Sequence, residues 1–326
     1  MTGAKAPRER APFWFVPAPG LRLAALRVLI CGFALVWLLG FSPQLLSTLW
    51  FTPARFTPVG VVSLLTGPLP PALGVGIWAL TVAAGIAALL GWRFRALGPV
   101  FALGLLWVTS YRNSWGMIFH SENLMVLHTL ILAVLPASDA WSLDARREPE
   151  RRARGQVAHP RYGWGPRLMA AVAVLAYLLA GVAKLRNAGM HWLDGEVLLS
   201  HVAWDNLRKI ELGDLHSPLG AALAAYPAVF VPLAWGSMVL ELGAPAALLG
   251  PRVARAWAVG MWAFHVGVLL IMAIAFVYPL SGVAFAPLFA VEEPVLGLAA
   301  RVRRRWPGSF LVRLLPEPDA TLSARG

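Results

Sequence analysis

Three stretches of the sequence contain no Asp, Glu, Lys or Arg, and they constrain the fold more than any other feature. They run from Val28 to Ala54, from Phe56 to Trp92 and from Ala256 to Val291. A helix needs about 20 mainly apolar residues to cross a bilayer, and a spanning segment has to satisfy its own backbone hydrogen bonds. The sequence, 58% hydrophobic over 326 residues, therefore predicts an all-α fold, a polytopic transmembrane helical bundle.

Apolar segments alternate with polar turns in a pattern that predicts about eight spans. With a cytoplasmic N-terminus, 22 of the 28 basic residues fall on the cytoplasmic side, as the positive-inside rule predicts. We therefore expect a multi-pass protein of the cell membrane with both termini in the cytoplasm. The expected spans are residues 21–40, 72–91, 97–111, 120–137, 167–185, 226–249, 256–277 and 280–298. The expected parts are a cytoplasmic N-terminal segment over 1–20, a transmembrane domain over 21–300 and a basic cytoplasmic tail over 301–326.

Charge and motifs exclude several functions. The net charge of +12 falls at regular intervals between apolar runs, which indicates membrane topology and no nucleic-acid partner. A single cysteine, Cys31, rules out a cysteine metal cluster, and the histidines match no common metal-ligand spacing, so no metal is expected. Membrane lipid is the expected partner, and the loop RREPERRARGQ over residues 146–156 is expected to attract anionic lipid.

Lys184 lies at the end of the apolar run LMAAVAVLAYLLAGVAKL, where an ionisable side chain is unusual. A charge at mid-bilayer costs roughly 3 kcal/mol on insertion scales, so such a residue is a functional-site candidate. An amine withdrawn from water releases its proton more readily and can then act as a base. The alternative is a lysine that snorkels from a helix end to the surface. The predicted topology places Lys184 on the extracytoplasmic side.

Two histidines belong to the fourth predicted span. His120 begins it, at about the depth of Lys184, and is the better candidate for chemistry near the surface. His128 lies eight residues further on, about 12 Å deeper in a helix, and about 80° away around the axis, so both can face the bundle interior. His128 also fits a hydrogen-bonded core histidine.

Glu241 and His265 are each twelve residues from Val253, the centre of the turn between the sixth and seventh predicted spans. An antiparallel hairpin would bring them to one level, where the histidine could partner a carboxylate that needs one. The pair fits either a structural clamp between helices or part of a polar cavity.

Polar residues at the ends of two spans have structural interpretations. Trp192 suits an interfacial aromatic belt, and Asp194 or Gly195 suits the N-cap of a following short helix. Asp144, in WSLD, is expected to cap a helix or to pair with the arginines beside it.

Three segments together resemble the horizontally transferred transmembrane (HTTM) family, which includes the membrane part of vitamin K-dependent γ-glutamyl carboxylase. They are FHSENLMVLHTLILAVLPASDAWSLD, YLLAGVAKLRNAGMHWLDGEVL and LELGAPAALLGPRVARAWAVGMWAFHVGVLLIMAIAFVYPL. The AGxxKL, SLD and FH elements in combination carry the resemblance, which covers the chain from the first span to about Phe289.

The resemblance implies roles for three residues. Lys184 matches the lysine taken to be the base that deprotonates vitamin K hydroquinone, and His120 matches an active-site histidine. His265 falls at the FH element, which implies a structural or cavity-lining role. A reduced vitamin K or menaquinol cofactor is therefore expected. The carboxylases also carry a large extracytoplasmic domain that binds the protein substrate, whereas the sequence given ends in a basic tail, so quinol or lipid chemistry is expected rather than peptide carboxylation.

Three functions remain open from the sequence. The first is an enzyme that binds a quinol and uses Lys184 as the base. The second is a non-catalytic membrane scaffold, a lipid-binding protein or an assembly or immunity-type partner protein. The third is a small-solute transporter with Glu241, His265 and His128 on a proton path, although no inverted repeat is evident.

Overall fold

The computed structural model describes residues 13–316. Lys5, Arg8 and Arg10 of the predicted N-terminal segment, and residues 317–326 of the predicted tail, lie outside the described residues. Within the described range every regular element is helical, and the one β-type pairing is an isolated bridge between Ala18 and His159. The predicted all-α class is confirmed.

Fifteen α-helices occupy the described range. They are α1 (Gly20–Gly40), α2 (Ser42–Ser47), α3 (Pro71–Leu90), α4 (Phe94–Asn113), α5 (Asn123–Ala133), α6 (Leu143–Arg147), α7 (Pro149–Gln156), α8 (Pro160–Ala188), α9 (Glu196–Glu211), α10 (Pro218–Leu223), α11 (Phe230–Leu242), α12 (Pro251–Met272), α13 (Val277–Leu280), α14 (Glu292–Arg305) and α15 (Phe310–Leu314).

Five of these helices are long and apolar enough to cross a membrane: α1, α3, α4, α8 with its continuation to Trp192, and α12. They overlap five of the predicted spans, with ends that differ by at most seven residues. The predicted spans at 120–137 and 226–249 correspond to shorter apolar helices, over Asn123–Ala133 and Pro227–Leu242. The chain is thus a multi-pass membrane protein, as its apolar runs predict.

A single helix over residues 280–298 was expected, and that expectation is wrong. The helix α13 ends at Leu280, a 3-10 turn covers Val283–Leu288, and α14 begins only at Glu292. Gly282 adopts a left-handed φ of 78° and Pro287 cannot donate a backbone hydrogen bond, so both interrupt helix propagation. The carboxylate of Glu292 is then held by Arg22 at 2.6 Å. This segment folds back on α1 instead of crossing the membrane as one helix.

Helix α1 lies at the centre of the bundle and is the most buried of the five long helices. Close packing around it depends on small residues, as is usual between membrane helices. A Cβ on Gly85 of α3 would lie 2.6 Å from the Phe101 ring and 2.7 Å from Leu35. This glycine therefore allows α3 to approach both α4 and α1.

Arg27 is fully buried inside α1, although the topology counts it among the cytoplasmic basic residues. Its guanidinium donates to backbone carbonyls only: Nε to Ala137 at 3.0 Å, Nη1 to Ala88 at 3.1 Å and to Leu89, and Nη2 to Trp141. The last carbonyls of a helix have no partner within it. Arg27 therefore caps the C-terminal end of α3 and fastens the segment between α5 and α6 to α1.

Asp144 caps a helix that is distant in sequence. Its carboxylate accepts from the backbone N–H of Arg93 at 2.7 Å and of Phe94 at 3.0 Å, which begin α4, and from Arg151 Nη1 at 3.0 Å. The sequence predicts that Asp144 caps a helix or pairs with an arginine, and in the structure it does both. A carboxylate is favoured there because the helix N-terminus carries partial positive charge.

These contacts place several helix ends together at one end of the bundle. They are the N-terminal ends of α1, α4 and α8, the C-terminal end of α3 and the short helices α6 and α7. We call it the arginine-rich end. The two-way bridge between Ala18 and His159, at 3.3 and 3.0 Å, fastens the start of α1 to the start of α8. The other end carries the C-terminal ends of α8 and α12.

Candidate functional site

A cavity of about 640 Å³ opens between α8, α9, α11 and α12, away from the arginine-rich end. Most of its wall is aliphatic or aromatic, which suits an apolar ligand. A small set of polar side chains interrupts this wall: His120, Ser121, Asn123, Tyr177, Lys184, His201, Ser237, Glu241 and His265. The predicted residues Lys184, His120, Glu241 and His265 are thus brought to one cavity from four separate segments.

Lys184 and Glu241 form an ion pair on the cavity wall. The ammonium group donates to both carboxylate oxygens. The Glu241 side chain is 3% exposed, whereas that of Lys184 is 21% exposed. The Trp192 ring centroid lies 5.1 Å from Nζ, so an aromatic face also contacts the cation. Lys184 is therefore held inside the cavity by a carboxylate and is not a snorkelling anchor.

Gly181 makes this pair possible. It lies one turn before Lys184 on α8, and a Cβ built there would be 3.0 Å from Glu241 Cβ and 3.0 Å from Leu242 Cδ2. Since real Cβ atoms rarely approach so closely, a larger residue would push α11 away from α8. The glycine of the AGxxKL element thus brings the backbone of α11 within reach of Lys184.

Glu241 was expected to meet His265, but its partner is Lys184, 57 residues away. Only two helices that turn symmetrically about Val253 would bring Glu241 level with His265. Instead a 3-10 turn over Ala244–Leu248 follows α11.

The register across the hairpin is set by Leu240. Trp257 Nε1 donates to the Leu240 carbonyl at 2.9 Å, and a Cβ on Gly260 would meet Leu240 Cδ2 at 2.6 Å. His265 lies five residues past Gly260, about 7.5 Å further along the helix. His265 is therefore not level with Glu241, and Glu241 pairs with Lys184 on α8 instead.

His265 is buried and hydrogen bonded to Tyr177, with 2.9 Å between its Nε2 and the tyrosine Oη. Its Nδ1 has no hydrogen-bond partner among residues 13–316. Tyr177 packs edge-on against Trp257 and stacks on Phe285. The cavity therefore contains an imidazole in a fixed position with an unsatisfied Nδ1. Buried polar atoms of this kind normally have a hydrogen-bond partner.

Tyr177 was missed from the sequence, although a signal was present. It precedes Lys184 by seven residues, or about two helical turns, so the two side chains share one face of α8. A tyrosine within an apolar run, in phase with the lysine, is a candidate cavity residue for that reason alone. His201 on α9 and Ser237 on α11 were also missed, because only tertiary packing brings their helices to the cavity.

His120 reaches the cavity from the turn before α5, which begins at Asn123 rather than at the histidine. Phe276 separates it from His265: its ring centroid is 5.6 Å from that of His120 and 5.1 Å from that of His265. His120 is exposed at this point. It therefore lies between the cavity and the surroundings of the protein.

His128 does not line the cavity. It is fully buried, with Nδ1 2.8 Å from the Tyr278 hydroxyl and Nε2 3.1 Å from the Met169 carbonyl. Both ring nitrogens are satisfied, so this histidine joins α5, α8 and α13. Of the two interpretations open from the sequence, the core histidine matches these contacts.

Trp192 is buried instead of lying in an interfacial belt. Its Nε1 donates to Ser237 Oγ at 3.2 Å and its ring faces His201 at 6.0 Å. Gly195, one of the two predicted N-caps, is the N-cap of α9 with φ 82°, and a Cβ there would lie 2.7 Å from the backbone of Phe230 and Val231. This glycine turn brings α9 over the cavity.

The fold and the site together define a helical multi-pass membrane protein with an apolar cavity that contains a lysine–glutamate pair. The chain belongs to the HTTM family, since the family model for the HTTM domain matches residues 15–293. No curated protein and no solved structure matches it significantly.

Proposed function

We propose that this HTTM protein is a membrane enzyme that binds a quinol-type lipid, such as reduced vitamin K or menaquinol, in the cavity and removes a proton from its hydroxyl group with Lys184. The observation that carries the proposal is the Lys184–Glu241 pair on the wall of a 640 Å³, mainly apolar cavity. An ion pair in this setting adds little net stability. Proton transfer would give the Lys184–Glu241 pair a role that its small contribution to stability does not.

The residues present fit such a ligand. Aromatic and aliphatic walls suit a fused ring and its isoprenoid chain, while the unsatisfied Nδ1 of His265 can hydrogen bond to a ring oxygen. The bound quinol would supply the oxidisable ring and the acidic hydroxyl. The chain itself would supply the base and the exclusion of water.

Proton transfer at Lys184 conserves both protons and charge at each step. One proton moves along the hydrogen bond from Nζ to a Glu241 oxygen, which turns two charges into a neutral amine and a neutral acid. The amine then takes the hydroxyl proton of the ligand and becomes an ammonium again. The proton on Glu241 has to leave through groups that reach water, and His120, exposed at the cavity, is the candidate for that step.

The test combines binding with turnover. Protein purified in mild detergent is given reduced menaquinone, and retained quinol and oxygen consumption are measured separately. We expect binding and consumption for the wild type, binding without consumption for Lys184→Met, and full activity for Arg186→Met, which removes an exposed cation two residues away. Quinol bound by the wild type without any oxygen consumption would reject the enzyme.

The same geometry supports a second candidate, a non-catalytic scaffold or lipid-binding protein. Lys184 satisfies both oxygens of Glu241 and ties α8 to α11, which a purely structural pair would also do. In that case the double variant Lys184→Met/Glu241→Gln, which removes both charges together, would keep the cellular function. Loss of function in this double variant, with the fold intact, favours the enzyme.

A further inference from the structure

A second cleft lies at the arginine-rich end, outside the cavity described above. It has a volume of about 200 Å³ and opens between α1, α8, α12 and the segment 287–290. Two arginines line it, Arg22 and Arg167, and its lining contains no Asp, Glu or His. The rest of the wall is made of glycine, alanine, proline and larger apolar side chains.

The positive charge in this cleft is only partly compensated. Arg22 binds Glu292 through Nε and Nη2, which leaves its Nη1 without a hydrogen bond among the described residues. Arg167 pairs with no carboxylate in the range 13–316, and its guanidinium lies 4.5 Å over the Phe13 ring. Two guanidinium groups thus line one small cleft with a single carboxylate beside it.

Helix electrostatics add to this imbalance. Arg22 lies in the first turn of α1, where this effect acts, whereas Arg167 is the eighth residue of α8, about two turns in. Cations are disfavoured near helix N-termini, where backbone N–H groups carry partial positive charge. The start of α12 also borders the cleft, and it has no side-chain cap. An anion in the cleft would offset all of these charges.

We propose that this cleft binds the phosphate of an anionic phospholipid, with Arg167 as its main ligand. Guanidinium groups bind phosphate oxygens through paired charge-assisted hydrogen bonds. Three span-capable helices, α1, α8 and α12, border the cleft near their N-terminal ends, the depth at which headgroups lie. Phe289 and Leu288 supply an apolar surface for the glycerol and upper acyl chain, contacts that free phosphate would not use.

The experiment measures lipid binding to the full chain in mild detergent by native mass spectrometry. The probes are phosphatidylglycerol, phosphatidylcholine and inorganic phosphate. We expect phosphatidylglycerol to bind more tightly than phosphatidylcholine, and Arg167→Gln to weaken phosphatidylglycerol about tenfold, the loss of one charge-assisted contact. Arg167→Lys keeps the charge and should lose less. Arg252→Gln removes an exposed arginine at the same end, outside the cleft, and should bind as the wild type does.

Three results would overturn the proposal. Equal losses in Arg167→Gln and Arg252→Gln would mean general surface attraction and no specific cleft. Equal binding of the two lipids would mean that the headgroup charge is not recognised. Inorganic phosphate that displaces phosphatidylglycerol at equal concentration would assign the cleft to a free ion. If Arg167→Gln does not fold, Arg167→Lys takes its place in the comparison with Arg252→Gln, and a loss no larger than that of Arg252→Gln would overturn the proposal.

Discussion

Removal of the Lys184 charge alone should destabilise the fold far more than removal of both charges of the Lys184–Glu241 pair. In Lys184→Met the carboxylate of Glu241, 3% exposed, loses its counter-charge inside the bundle. Breaking a buried pair in this way costs about 3 to 5 kcal/mol, and we take the lower end because Lys184 retains 21% exposure.

The reverse variant should cost less, because the two partners are buried unequally. In Glu241→Gln the ammonium group of Lys184 keeps its exposure and its contact with the Trp192 ring, so we expect about 1 to 2 kcal/mol. In the double variant no unpaired charge remains, and the cost should be about 1 kcal/mol. The coupling free energy between the two sites is then about 3 to 4 kcal/mol.

Reversible unfolding of the four proteins in mixed micelles, with denaturing detergent as the titrant, measures this coupling. Arg186→Met, an exposed cation on the same helix, is the matched control and should change stability by under about 0.5 kcal/mol. Additive losses in the double variant would refute the reasoning. So would a Lys184→Met protein as stable as the wild type, because the carboxylate would then not depend on the lysine.

Three further variants test other contacts. Arg27→Met removes the guanidinium donor from four backbone carbonyls, of which Ala88 keeps the Gly91 N–H, and should cost more than 3 kcal/mol, measured by the same unfolding assay; a loss under about 1 kcal/mol would contradict its capping role. Asp144→Ala removes the cap of α4 and one of the two carboxylates that pair with Arg151, so we expect a loss of about 2 to 3 kcal/mol and faster amide exchange at Phe94; unchanged exchange would argue against the cap. Tyr177→Phe removes one hydrogen bond to His265 and should cost about 1 kcal/mol, and it should weaken quinol retention because the His265 ring loses the contact that orients it; wild-type retention would contradict this role.

Span location was predictable because it depends on local composition. The charge-free runs and the lengths of apolar segments placed the ends of five long helices to within seven residues, since the cost of exposing polar backbone to lipid acts on each segment separately. The span predicted from composition over residues 280–298 is wrong. There the composition is apolar enough, but Gly282 and Pro287 break the helix and Glu292 finds a partner on α1.

Residue type alone identified several candidates for the cavity. Lys184, Glu241, His265 and His120 stand out because polar side chains are rare in apolar segments. Their pairing was less predictable, because a spacing argument treats a hairpin as two straight helices. The 3-10 turn after α11 shifts the register, and Gly181 lets α8 take the carboxylate instead.

By itself the sequence determined that this protein is helical, crosses the membrane several times and holds unusual ionisable residues at certain depths. These properties follow from the free energy of single segments in lipid and from rare residue types within them. Only the tertiary structure decided that Lys184 pairs with Glu241, that Tyr177 holds His265, that Arg27 is a buried cap and that His128 belongs to the core. Those outcomes depend on helix register and close approach, which arise from packing between segments 50 to 150 residues apart and have no signature in local composition.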